Sequence, residues 1–331
     1  MAMTIDGITR PLEYVSPLDE HLGRIVRKWA DEEVMPLRRD FDEDWQEHRL
    51  IEPAVSKLVA ELGLQRMLFP EDLGGLGLGR SGSLGTPLFR VCEEIARADS
   101  GVAVAVGVTS WPLMMIARAP HENRQLCEAC ASIFCQSERP AYAANAMTEP
   151  QGGADIENLD LLAGSTIQTT ATRDGDEWIV NGHKLWPTNS GGAADLFGVV
   201  CTTKPGSRDP RDFAFIFVPA TAEGVTQGRP YQKAGMAADK NSDIWFEQVR
   251  VPAWYRACGP GDDFKFFKEV ISLGLLGSVA FASGVMLNLF ELLGDFATRT
   301  RHRGKALKES DDVAGVLADV AATAEVVRVT G

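Results

Sequence analysis

The residue types suited to ligand chemistry gather between Asn145 and Asn189. The stretch opens N-A-M-T-E-P-Q-G-G-A-D over residues 145–155 and closes N-G-H-K-L-W-P-T-N over 181–189. Thr148 and Thr188 bring hydroxyls that both donate and accept hydrogen bonds. Trp186 brings a broad flat surface for stacking. Gly152, Gly153 and Ala154 let a ligand come close to the main chain. Together they suit a large planar ligand with a polar edge, such as a flavin. Read without a ligand, the same residues make an ordinary β-region with a buried tryptophan and turn glycines.

The elements that must hold these residues are strands. Trp178-Ile179-Val180 reads as one, entered by the turn Arg173-Asp174-Gly175-Asp176. Thr166–Thr172 alternates and is rich in β-branched residues. Leu196–Thr202 and Phe213–Val218 are short apolar runs that fit buried strands. Helical patterns lie on either side. Leu18, Leu22, Ile25, Val26 and Trp29 recur at three-and-four spacing after Ser16-Pro17. Val55, Leu58, Val59 and Leu62 repeat the pattern and Gly63 ends it. Leu88–Ala98 reads as the next helix and Gly101–Val108 as a buried one. Val270–Thr298 is a long apolar helix. Arg299–Lys305 interrupts the pattern, and a further helix starts near Ser310. Gly75–Gly79 lacks the spacing and the preceding strand of a dinucleotide loop, and reads as a turn.

The chain has 33 basic and 46 acidic residues, a net charge of −13, which argues against a general nucleic-acid surface. No segment reads as a membrane span of about 20 apolar residues or as a signal peptide, so a cytoplasmic location is expected. Cys127-Glu128-Ala129-Cys130 has metal-like spacing with Cys135 nearby, but nothing completes four ligands; structural thiols and no metal are expected.

T-E-P-x-x-G-x-D followed by N-G-x-K-x-W-x-T-N resembles the double signature of the acyl-CoA dehydrogenase family. The resemblance continues in family order through Glu33–Pro36, Glu61–Leu64, Pro70–Gly77, Glu93–Asp99 and Phe246–Pro252. It implies an α+β fold in three parts. These are an N-terminal helical domain (1–137), a central β-barrel-like domain (138–257) and an incomplete C-terminal helical bundle (258–331). It implies FAD as cofactor and α,β-dehydrogenation of an acyl-CoA thioester, a carboxylate taking the α-proton and flavin N5 the β-hydride. By the same resemblance Asn145, Met147 and Thr148 meet the flavin edge, and Gly153 and Ala154 approach flavin or substrate. Trp186 stacks beside the flavin and Thr188 bonds near N5. Val106, Thr109 and Trp111 are placed near the acyl pocket, with helix packing as their alternative role, and Ala154 near the substrate.

The sequence also departs from the family. Asn145 stands where an aromatic or apolar residue is usual, Ala154 where serine is, and Pro187 where isoleucine or valine is. Ile271–Leu276 lacks the arginine and the acid expected on the long helix. Arg301 or Arg303 takes the place of an arginine that reaches the flavin pyrophosphate of a neighbouring subunit, or else belongs to a solvated helix end. No catalytic base is assigned. The expected partners are acyl-CoA, an electron-transferring flavoprotein or similar acceptor, and further subunits, like or related; nucleic acid and membrane are not expected. Two alternatives stay open: a non-catalytic or site-sharing subunit of a heteromeric dehydrogenase, and a flavin oxidase or monooxygenase on the same scaffold.

Overall fold

A computed structural model describes residues 16–80, 85–117, 123–153 and 166–330. Ala154 lies outside the described residues. The chain divides into two compact units, residues 1–39, 83–103 and 275–331 forming one and 40–82 and 104–274 the other.

The first unit is helical. Helix α1 (Pro17–Trp29) starts at a capping box, in which the Ser16 hydroxyl accepts from Asp19 N and the Asp19 carboxylate from Ser16 N. It continues through Ala30–Val34 as a wider turn, closed by Met35 N donating to Ala30 O at 2.9 Å. In chain order the short helix α2 (Arg38–Phe41) then runs into the second unit, which holds α3 (Ile51–Ser56). Helix α4 (Gly85–Ala98) carries the E-E-I-A-R run, and the structure gives these residues a packing role. Glu93 and Glu94 are fully buried. Arg27 Nε sits 2.7 Å from Glu94, Arg328 Nε 2.7 Å from Glu93, and Arg90 bonds to both carboxylates. The Ser283 hydroxyl adds a hydrogen bond to Glu93 at 2.6 Å, and Arg97 bridges Asp31 and Glu291. Acid pairs like these are tolerated inside a protein only when each charge is matched.

Helix α5 (Ser100–Ala117) and α6 (Arg124–Phe134) lead into the sheet; Asn123 Oδ1 caps α6 by accepting from Leu126 N. Cys127 and Cys130 are buried in α6, and among the described residues no group of acidic, histidine and cysteine side chains could hold a metal.

The second unit contains the sheet of β1 (Ala143–Ala146), β2 (Thr170–Asp174), β3 (Glu177–Lys184), β4 (Leu196–Thr202), β5 (Phe213–Pro219), β6 (Val225–Gln227) and β7 (Ile244–Pro252). The order is β1-β4-β2-β3-β7-β6, with β5 pairing β4. β1 runs parallel to β4, while β2 and β3 form the expected hairpin. The expected strand at Thr166–Thr172 is displaced: the pairing starts only at Thr170, because Gln168 N and Thr169 N are taken by the Glu149 carboxylate. One face of the sheet buries Ala144, Ala146, Phe197, Val199, Ile216, Val218 and Phe246. Alternation then turns Asn145 and its neighbour Gly198 to the opposite face.

Helix α7 (Asp262–Arg299), the hairpin β8 (Arg301–His302) and β9 (Lys305–Ala306), and helix α8 (Asp311–Thr330) complete the chain. Contrary to the expectation of no span-like segment, α5 and α7 are both long and apolar enough to cross a membrane, by length and composition. The uncharged run from Val270 to Phe290 gives α7 this character. Each helix is also hydrogen-bonded to another element, Ser283 of α7 donating to Glu93 and Thr109 of α5 accepting from Asn189 Nδ2.

Candidate functional site

The two halves of the Asn145–Asn189 signature are tied together at several points. The Lys184 ammonium donates to Met147 O at 2.9 Å and to Glu149 Oε1 at 2.7 Å. Leu185 N donates to Thr148 O at 2.8 Å. At the other end Asn189 Nδ2 donates to Ala143 O at 3.2 Å. Residues 143–149 and 184–189 therefore lie alongside each other. Burial pushes the Glu149 carboxyl toward neutral, but Lys184 and the N–H groups of Thr169 and Gln168 outweigh it and hold the carboxyl below its ordinary range.

Several signature residues serve this geometry. Gly182 stands against Thr169: a Cβ there would lie 2.4 Å from the threonine Oγ1. Asn181 Oδ1 accepts from Gln248 N at 2.8 Å, satisfying a bulged residue of β7 with φ 53°. Gly153 approaches Thr148 closely, its Cβ position being 2.9 Å from the threonine Cγ2.

Beyond the tie the segment exposes Trp186 and buries Asn189. Trp186 is 53% exposed and has φ 40°. Thr188 is half-buried, and its hydroxyl donates to Asp239 Oδ2 at 3.4 Å. Asn189 has φ 69°, its N–H donates to Asp239 Oδ1 at 3.1 Å, and its amide also donates to Ala105 O and to Thr109 Oγ1. Lys233 Nζ lies 3.0 Å from Asp239 and bonds to Asn241, whose Nδ2 donates to Trp186 O at 2.9 Å. Asp239 is 4% exposed; burial pushes its carboxyl above the ordinary range, against the pull of Lys233.

Asn145 is 7% exposed, and neither its Nδ2 nor its Oδ1 has a partner among the described residues. An unpartnered buried amide is costly unless a ligand completes it. Thr109 is buried with its hydroxyl engaged by Asn189, Ala143 N and Ala105 O, while Val106 and Trp111 are half-buried on the same helix. Arg301 and Arg303 are exposed on the β8–β9 hairpin, in the other unit. The sequence reading missed Glu149, Lys184, Asn189, Lys233, Asp239 and Asn241. The signal for the first three was their place inside the signatures; no pattern marked the others.

The family model for the acyl-CoA dehydrogenase N-terminal domain matches residues 17–125, and the one for the middle domain matches 144–249. The chain is 28% identical over 305 residues to the cyclohexane-1-carbonyl-CoA dehydrogenase of Syntrophus aciditrophicus, covering 91% of this chain and 72% of the relative. In fold it is similar to butyryl-CoA dehydrogenase from Megasphaera elsdenii, at TM-score 0.81, 22% identity and coverage of 95% of this chain and 77% of that one. It is also similar in fold to an acyl-CoA dehydrogenase complexed with FAD from Bacillus anthracis, at TM-score 0.78, 21% identity and coverage of 99% and 52%. The two family models together match most of the chain, the middle-domain one spanning both signatures, and the chain belongs to the acyl-CoA dehydrogenase family.

Proposed function

We propose that the chain binds FAD and catalyses, or supplies the flavin site for, α,β-dehydrogenation of an acyl-CoA thioester. The observation that carries this reading is the lateral tie between 143–149 and 184–189, which holds Thr148, Trp186 and Thr188 on adjoining backbone. A flavin fits the residues present: Asn145 keeps a free donor and acceptor, Thr188 offers an oxygen, and Trp186 exposes its ring. When bound, FAD supplies the acceptor for a hydride equivalent. The chain's own residues orient and enclose: Gly153 keeps the backbone beside Thr148 open to close approach, and Asn145 takes a polar edge out of water.

The test is the visible absorption spectrum of the purified, desalted protein, followed by anaerobic addition of acyl-CoAs of several chain lengths. A flavin spectrum that bleaches with one of them supports the reading. A protein that stays colourless after incubation with FAD sinks it.

One observation favours a second reading, a site-sharing subunit. Within the helical unit Leu275, Leu292 and Phe296 of α7 are 62%, 48% and 60% exposed, an apolar face of the kind that marks an interaction surface. In this reading a related chain supplies the carboxylate base. Bleaching that appears only after such a chain is added decides for it.

A further inference from the structure

The Trp186–Asn189 segment has two residues in the left-handed region, Trp186 at φ 40° and Asn189 at φ 69°. Neither is glycine, so surrounding bonds must hold them there. Those bonds converge on one buried carboxylate. Asp239 Oδ1 accepts from Asn189 N at 3.1 Å, and Oδ2 from the Thr188 hydroxyl at 3.4 Å. Lys233 Nζ, 3.0 Å away, balances the charge and grips Asn241, which in turn holds the Trp186 carbonyl. An isolated bridge between Thr188 and Asn241 closes the arrangement. The segment is thus clamped from the 233–241 loop at the carbonyl of Trp186, the hydroxyl of Thr188 and the amide N–H of Asn189.

The clamp has a polarity. A hydroxyl has one proton, and a carboxylate can only accept. With its proton directed at Asp239, Thr188 presents lone pairs to anything that meets it from the open side. Such a group must bring its own N–H or O–H. Resting on the proposed function, which sets Thr188 near flavin N5, that nitrogen differs in this respect between redox states: oxidised, it accepts; reduced by two electrons, it carries hydrogen.

We propose that Asp239, paired with Lys233, is a positioning residue that fixes the strained Trp186–Asn189 segment and orients the Thr188 hydroxyl as an acceptor, favouring reduced over oxidised FAD.

The test is a double-mutant cycle on the FAD-loaded protein, read by the midpoint potential of the bound flavin and the dissociation constant of oxidised FAD. In Asp239→Asn an amide N–H can face Thr188, which frees the hydroxyl to donate. The expected result is about a tenfold shift toward oxidised FAD, a fall of about 30 mV for a two-electron couple. In a Thr188→Val background the same change should move the ratio less than twofold. A rise in potential would mean that Asp239 acts only as a negative charge, and overturns the assignment. Equal shifts in the two backgrounds also overturn it. Should Asp239→Asn not fold, Asp239→Ser is measured on the same scale, with the same sign and the same dependence on Thr188 expected. No FAD uptake by the unmodified protein would overturn this assignment together with the proposed function; uptake with an uncoupled cycle overturns the assignment alone.

Discussion

Lys184 Nζ lies 2.7 Å from Glu149 Oε1, and both side chains are sealed from solvent, at 0% and 1% exposure. This one ion pair joins the second signature to the first. Removing one partner leaves the other charge buried and unmatched, at a cost of about 3–5 kcal/mol. Lys184→Met and Glu149→Gln are therefore each expected to lower stability by at least about 3 kcal/mol in urea denaturation, with the double variant losing less than the sum. Single variants within about 1 kcal/mol of the parent would show the pair to be incidental.

Gly182 is tested by its space. A methyl group there meets the Thr169 side chain at 2.4–2.7 Å. Gly182→Ala should destabilise by about 1–3 kcal/mol through overpacking. Thr169→Ala in the same chain should return part of that loss, read as a recovered Tm. An unchanged Tm for Gly182→Ala would mean the strand has slack.

Trp186 separates binding from folding. An exposed ring contributes little to the core, so Trp186→Ala should change stability by less than about 0.5 kcal/mol. It should weaken FAD binding about tenfold, measured by titration of the apo-protein with flavin. A large loss of stability with unchanged FAD affinity would assign the ring to packing.

His48 sets an acid limit. Its Nε2 is buried without a partner among the described residues, and burial, with Lys240 and Lys233 nearby, pushes its pKa down to about 4. The unfolded chain protonates near the ordinary value of 6.5, so the unfolded state binds more protons between these values. The contribution is fully present above pH 6.5 and is lost as pH falls through 4, on the order of 2 kcal/mol. His48→Asn also suits the positive φ of 58° and should flatten the stability profile between pH 6.5 and 4. A parent profile already flat in that window would refute the assignment.

The apolar face of α7 predicts association. Light scattering at micromolar concentration should give at least a dimer, and Leu275→Lys with Phe296→Lys should lower the mass. A parent that scatters as a monomer would remove the interface.

The strands at Leu196–Thr202 and Phe213–Pro219 were legible because uninterrupted apolar runs between turn residues leave few other structures. Helix α1 was legible from its three-and-four spacing, and α7 from its long apolar run. Thr148, Trp186 and Thr188 stood out because hydroxyl and aromatic side chains advertise chemistry. Glu149 and Lys184 did not, since a charged residue in a strand reads as solvated until its partner 35 positions away is known. Asp239 and Lys233 were hidden for the same reason: the loop carrying them has no periodicity, and their target is a backbone shape that no composition reveals. The span-like character of α7 was missed although Val270–Thr298 was read as a long apolar helix: Val270 to Phe290 carries no charge.

Of the tryptophans among the described residues, Trp186 alone is classed as exposed. The chain thus carries its own optical label at the place where the two signatures meet. Acrylamide or iodide should quench that indole ahead of the others, and N-bromosuccinimide at low excess should oxidise it first. A bound ligand covering the ring would then announce itself as protection, in a protein carrying no dye, no tag and no substitution.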